Sequence, residues 1–186
     1  MRLFIAVQLP PDWRAAAHVA GEVLAQSTLV PMRRVAPELM HITLRFLGEV
    51  DPERIPALSE ALARRAPPID IMLRIGGADT FGPPDRTRTV WLGIGGNVLG
   101  LRALARRVEL AVRDAGLPPA TAAFRPHLTL ANLGTKVTPD ERRVVAETAH
   151  MLPPLPAAPF RVREVVLVHS TLGGAQPRYE VVAKVR

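Results

Sequence analysis

The sequence predicts an α+β fold. Runs of strand length alternate with stretches of helical periodicity along the chain, no glycine-rich phosphate loop follows the first strand-like run, and one octapeptide occurs twice about half a chain apart. The second observation sets aside Rossmann and P-loop architectures. The third points to two related lobes.

The elements follow in order. Residues 3–9 form an apolar run closed by Pro10-Pro11, which reads as a strand passing into a helix start. From Trp13 the apolar residues Ala16, Ala17, Ala20, Val23 and Leu24 recur at helical spacing, with Arg14 and His18 off that face. Residues 41–47 are the next strand, and Asp51-Pro52 supplies an N-cap and a first-turn proline for a second helix. Residues 69–75 and 87–94 read as strands separated by a turn-rich loop from Gly76-Gly77 to Asp85. Leu101, Leu104, Ala105, Val108, Ala111, Val112 and Ala115 mark one stripe of a third helix, stopped by Gly116 and Pro118, with Arg102, Arg106 and Arg113 mostly outside it. Residues 127–133 form a strand. Thr138-Pro139-Asp140-Glu141 is a capping box opening a fourth helix. A punctuated stretch at 153–159 precedes strands at 161–169 and 179–185. Both punctuated stretches read as loops within one unit.

Composition narrows the function. The 186 residues are 48% hydrophobic and 22% charged, the balance of a folded domain rather than a disordered chain. No apolar run reaches the length of a signal-peptide core or a membrane span, so a soluble, cytoplasmic protein is expected, with no membrane partner. Without cysteine there is no disulfide, no thiolate nucleophile and no Cys-type zinc site. The net charge of +7 rests on arginine: of 24 basic residues only Lys136 and Lys184 are lysines, leaving 22 arginines (24 − 2). Arginine forks suit a phosphate partner such as nucleic acid, while GC-rich coding also raises arginine, alanine and proline together.

The octapeptide carries the chemistry. His41-Ile42-Thr43-Leu44-Arg45-Phe46-Leu47-Gly48 is echoed 86 residues later (127 − 41) by His127-Leu128-Thr129-Leu130-Ala131-Asn132-Leu133-Gly134, with five of eight positions identical. Strand alternation puts His and Thr of each copy on one face and the aliphatic residues on the other. If the two strands face one another, two imidazoles flank whatever lies between them, with two hydroxyls beneath. In-line displacement at phosphorus needs a base and an acid on opposite sides, and histidine fills both roles near neutral pH. The threonines would bond the non-bridging oxygens. A single histidine at a strand start is ordinarily a packed or solvated residue, and the pairing is what lifts these two above it. Zinc needs three or four ligands, and neither copy offers a HExxH helix or a cysteine cluster, so no metal is expected.

These motifs resemble the two-histidine (2H) phosphoesterases, whose signature is a pair of His-x-Thr-x motifs, and in particular the bacterial and archaeal RNA 2′,3′-cyclic phosphodiesterases, formerly called 2′-5′ RNA ligases (LigT-like). The resemblance spans nearly the whole chain. It takes in Arg2-Leu3-Phe4-Ile5-Ala6-Val7 with Leu9-Pro10, Phe81-Gly82 with Thr89-Val90-Trp91-Leu92-Gly93, Phe124-Arg125-Pro126-His127, and Ser170-Thr171-Leu172 with Tyr179. It implies one catalytic domain over residues 1–186, bilobal and pseudo-two-fold, with one motif per lobe, two antiparallel sheets facing a central groove and helices outside.

The resemblance further implies hydrolysis of RNA 2′,3′-cyclic phosphate ends to a 2′-phosphate, with no cofactor or metal. His41 becomes the proton donor, His127 the proton acceptor, and Thr43 and Thr129 the phosphate-binding hydroxyls. Reverse 2′-5′ ligation, as on tRNA halves, and a monomeric state come with it. Some relatives carry an arginine five residues after the second histidine, where this chain has Asn132; Arg125 and Arg45 are the candidates to supply that charge. Aromatics are only 4% of residues, so base-stacking candidates are few. Phe4 is one, while Phe46 alternates away from His41 toward the core, and Tyr179 is weaker still. His18, His150 and His169 carry no assignment. Two other readings stay open: a non-catalytic nucleotide or RNA-binding module, and a phosphodiesterase for small cyclic nucleotides or an ADP-ribose cyclic phosphate.

Overall fold

The structure, a computed structural model, describes residues 1–67, 70–173 and 176–186. It is an α+β fold of two antiparallel sheets with four α-helices. The chain runs β1 (Arg2–Gln8), α1 (Pro11–Thr28), β2 (Met32–Arg34), β3 (His41–Glu49), α2 (Ile55–Arg65), β4 (Met72–Phe81), β5 (Thr89–Gly96), α3 (Val98–Asp114), β6 (His127–Leu133), α4 (Pro139–His150), β7 (Phe160–Arg161), β8 (Val165–Thr171) and β9 (Arg178–Val185). One sheet is ordered β3-β1-β8-β9 and the other β2-β6-β5-β4-β7.

Those two orders contain the pseudo-two-fold. Strands β1 and β3 pair with α1 between them in sequence, as β5 and β6 pair with α3 between them. After α2 the chain crosses to lay β4 beside β5, and after α4 it crosses back to lay β8 beside β1. The motif strands β3 and β6 therefore occupy equivalent places, one in each sheet, and they contact one another.

The apolar run in β1 is continuous because the strand is central and covered on both faces. Leu3, Ile5 and Val7 join the main core beneath the helices, while Phe4 and Ala6 pack with Val166 and Val168 on the opposite face. That second face bears the groove. In α1 the buried stripe is Trp13, Ala17, Ala20, Gly21 and Leu24, with the Trp13 indole donating to the Ala158 carbonyl at 2.8 Å. Val23, expected on the stripe, is exposed.

Helix punctuation is largely as expected. Thr138 and Glu141 form the reciprocal capping box of α4, and α3 stops at Gly116, whose φ of 71° lies in the left-handed region. Asp51 caps a 3₁₀ turn, Pro52–Arg54, that leads directly into α2. None of the described helices is long and apolar enough to cross a membrane.

Two expectations are corrected, and one strand is added. Gly76 and Gly77 do not open a loop: β4 continues through them to Phe81, with its register against β5 breaking between Ile75 and Ala78. A Cβ on Gly76 would come within 3.1 Å of the Gly93 carbonyl, so glycine there permits the close approach of two strands rather than a turn. The start of the run at Ile69 lies outside the described residues. Residues 161–169 are not one strand, because the chain changes sheet between β7, which pairs with β4, and β8, which pairs with β1. Strand β2 was not anticipated; three residues at a sheet edge leave no periodic signal.

Candidate active site

His41 opens β3 and His127 opens β6, and the two rings are held alike. In each, Nδ1–H donates to the backbone carbonyl two residues earlier: Leu39 for His41 and Arg125 for His127, both at 2.7 Å. A carbonyl can only accept, so the neutral rings carry their proton on Nδ1 and keep Nε2 as the working atom. At His41 that atom lies 2.9 Å from the Thr43 hydroxyl. Thr129 shares the placement of Thr43 but makes no hydrogen bond to His127 among the described residues.

Aromatic rings frame both imidazoles. Phe4 stacks on His41 at 4.7 Å between centroids, and Tyr179 meets His41 edge-on at 5.5 Å. Phe81 and Trp91 stand edge-on to His127 at 4.9 and 6.1 Å. Burial among these apolar neighbours pushes the His41 imidazole below its ordinary value, the Leu39 carbonyl partly opposes this, and charge on His127 pushes it lower still. The two histidines are thus close enough to feel each other electrostatically. Burial also raises the Tyr179 phenol, against the opposing charges of Arg2 and Arg33.

A cavity of about 600 Å³ lies along the groove, lined by Thr43, Arg45, Phe46, Phe81, Arg125 and His127 together with α3 and residues 120–124. Arg125 reaches over the Phe81 ring at 5.9 Å. Arg45 also lines the cavity, but its guanidinium is bound to Glu109 at 2.9 Å and to the Pro118 carbonyl at 2.7 Å. Although burial of Glu109 favours its neutral form, the Ala120 N–H and the Arg113 and Arg45 guanidiniums hold the carboxyl below its ordinary value. This pair fixes the loop beyond α3 to the motif strand.

Phe46 corrects a further expectation. It is 63% exposed and sits on the groove side, 6.0 Å from Phe4, rather than in the core. The register of β1 against β3 shifts twice, so strict alternation along the motif strand ends before Phe46. Phe81 and Trp91 carry no sequence assignment to the site because they come from other strands, while Tyr179, only a weak stacking candidate in the sequence, stands against His41. Arg33 lies directly across from Asn132, whose side-chain oxygen accepts from the Thr89 hydroxyl at 3.0 Å. Two of the other histidines are engaged elsewhere: His18 pairs with Glu22, and His150 bonds Asp79 at 3.0 Å. Among the described residues, no three His, Asp or Glu side chains cluster as a metal site requires.

Comparison with known proteins identifies the family. The model of the 2′-5′ RNA ligase superfamily matches residues 10–174, and the chain belongs to that family. It is similar to the Escherichia coli (strain K12) RNA 2′,3′-cyclic phosphodiesterase, at 31% identity over 186 residues, covering 96% of this chain and 92% of the relative. Proteins of the same name from Aeropyrum pernix and Geobacillus stearothermophilus are 42% and 32% identical over 57% and 97% of this chain. In these two the matched region spans 60% and 55% of the relative's own length. The crystal structure of Escherichia coli LigT complexed with 3′-AMP superposes with a TM-score of 0.74 at 29% identity, covering 98% of this chain and 95% of that one.

Proposed function

We propose that residues 1–186 form one catalytic domain of two lobes, one His-Thr motif in each, that hydrolyses 2′,3′-cyclic phosphate ends of RNA to 2′-phosphates without a metal. The matched pair of imidazoles, each tethered through Nδ1 with Nε2 left as the working atom, carries this reading. The relatives named RNA 2′,3′-cyclic phosphodiesterase and the neighbour that holds 3′-AMP supply the substrate class.

In this reaction His127 Nε2 takes a proton from water as the water oxygen attacks phosphorus. The bond from phosphorus to the 3′ oxygen breaks, and protonated His41 delivers its Nε2 proton to that oxygen. Thr43 and Thr129 donate to the non-bridging oxygens as charge develops there. Low basicity makes protonated His41 a strong acid, and the anionic diester between the rings favours that protonated form. Exchange with solvent returns both rings to their starting states. A 5′-hydroxyl replacing water gives a 2′-5′ linkage by the same steps. In this reading Arg125, which shares the cavity lining with His127, supports the phosphate, since Arg45 is paired with Glu109.

The test is turnover of a cyclic-phosphate oligonucleotide by folded His41→Ala and His127→Ala proteins. Each loses about 10²–10⁴-fold of the rate, and EDTA leaves the wild-type rate unchanged. Near wild-type turnover by either variant contradicts the assignment, as does a chelator-sensitive rate. A binding-only protein shows a complex with the 2′-phosphate product and no turnover. Activity confined to mononucleotides selects the small-substrate reading.

A further inference from the structure

The cavity beside His127 is larger than a cyclic phosphate requires. At about 600 Å³ it matches pockets that enclose whole small ligands. It is also held open. Glu109 accepts from the Ala120 N–H at 3.1 Å, Arg45 bridges Glu109 and the Pro118 carbonyl, and Arg102 donates to the Phe124 carbonyl at 3.2 Å. A wall pinned at three points needs little ordering when a ligand arrives.

Its charge is one-sided. Among the described residues Glu109 is the only acidic one on the lining, and it is already bonded to Arg45 and Arg113. Arg106, by contrast, has no hydrogen bond or ion pair among the described residues, and the one bond of Arg102 leaves most of its fork free. Both are exposed, and spacing of four residues on α3 puts them on one face of the helix, above the cavity. On the same lining, Phe46 of β3 offers an exposed ring. Cations next to an uncovered aromatic ring are the elements that bind single-stranded nucleic acid, the cations taking the backbone and the ring taking a base.

We propose that this cavity is a subsite for the RNA strand on the 5′ side of the reacting end, with Arg102 and Arg106 bonding an internucleotide phosphate and a base lying on Phe46. The inference rests on the phosphodiesterase reading and adds to it: the site discriminates polymeric RNA from mononucleotides, because a mononucleotide has no internucleotide phosphate. Arg102 and Arg106 are specificity residues and take no part in the proton transfers.

The experiment compares kcat/KM for a short oligonucleotide ending in a 2′,3′-cyclic phosphate with that for the matching cyclic mononucleotide. Wild-type protein prefers the oligonucleotide by about tenfold or more. Arg106→Gln reduces that ratio, and Arg102→Glu with Arg106→Glu brings it close to one, while the salt dependence of the oligonucleotide reaction becomes shallower. A wild-type ratio near one overturns the proposal, as do variants that slow both substrates equally. If wild-type protein turns over neither substrate, the phosphodiesterase reading fails. The subsite is then judged by binding of the 2′-phosphate oligonucleotide against the 2′-phosphate mononucleotide, with the same variants and the same expected loss of preference.

Discussion

The hydroxyl of Thr43 lies 2.9 Å from Nε2 of His41, so the atom proposed to deliver the proton is held by the residue proposed to bind the phosphate. When His41 is neutral, Thr43 donates to Nε2; when it is protonated, Nε2–H donates to Thr43 and frees the hydroxyl proton to point at phosphate. Thr43→Val removes both exchanges and lowers kcat about 10²-fold, while Thr43→Ser keeps most of the activity. Steady-state kinetics on a cyclic-phosphate oligonucleotide checks this. Equal rates for the valine and serine proteins would show that the hydroxyl has no part in turnover.

His41 also couples stability to pH. Its folded value is pushed below the ordinary 6.5, chiefly by burial, so between the two values the unfolded chain binds more protons than the folded one. The corresponding stability is complete above about pH 6.5 and is lost as pH falls through the folded value. Relative to His41→Gln, which cannot titrate, the wild-type protein therefore gains stability as pH rises through that window. Chemical denaturation at a series of pH values gives the difference. Replacing the stacked ring with Phe4→Leu loosens the burial and shrinks this dependence.

Arg45 and Glu109 form the other mechanical joint. Both side chains are largely covered, at 15% and 20% exposure, and together they tie β3 to the loop through Pro118 and Ala120. A double-mutant cycle with Arg45→Ala and Glu109→Ala gives a coupling of about 1 kcal/mol. Hydrogen exchange of the Ala120 amide rises in each single variant. Additive effects with unchanged exchange would mean that the loop is held without the pair.

The motif strands were legible because alternation fixes which side chains share a face, and that was enough to pair His41 with Thr43 and His127 with Thr129. The capping box of α4 and the end of α3 were legible because their signals are local. Phe46 was not, since a register shift between β1 and β3 is set by the partner strand and leaves no mark in the motif itself. The setting of the histidines was legible only in part: Phe4 and, more weakly, Tyr179 stand out as stacking candidates, but that Phe4, Phe81, Trp91 and Tyr179, on four different strands, frame the two imidazoles follows only from the sheet order. Gly76 and Gly77 carry the residue type of a turn but serve a tight crossing beside Gly93. Arg33 became visible only through its pairing with Asn132.

Two titrating imidazoles acting as a pair have one direct signature, the pH dependence of kcat/KM for a cyclic-phosphate oligonucleotide. Two-histidine catalysis predicts a bell, its low-pH limb marking loss of the base and its high-pH limb loss of the acid, with a single limb abolished when the matching histidine is replaced and residual rate is followed. A flat wild-type profile, or a bell that keeps both limbs when His41 or His127 is replaced, would contradict it.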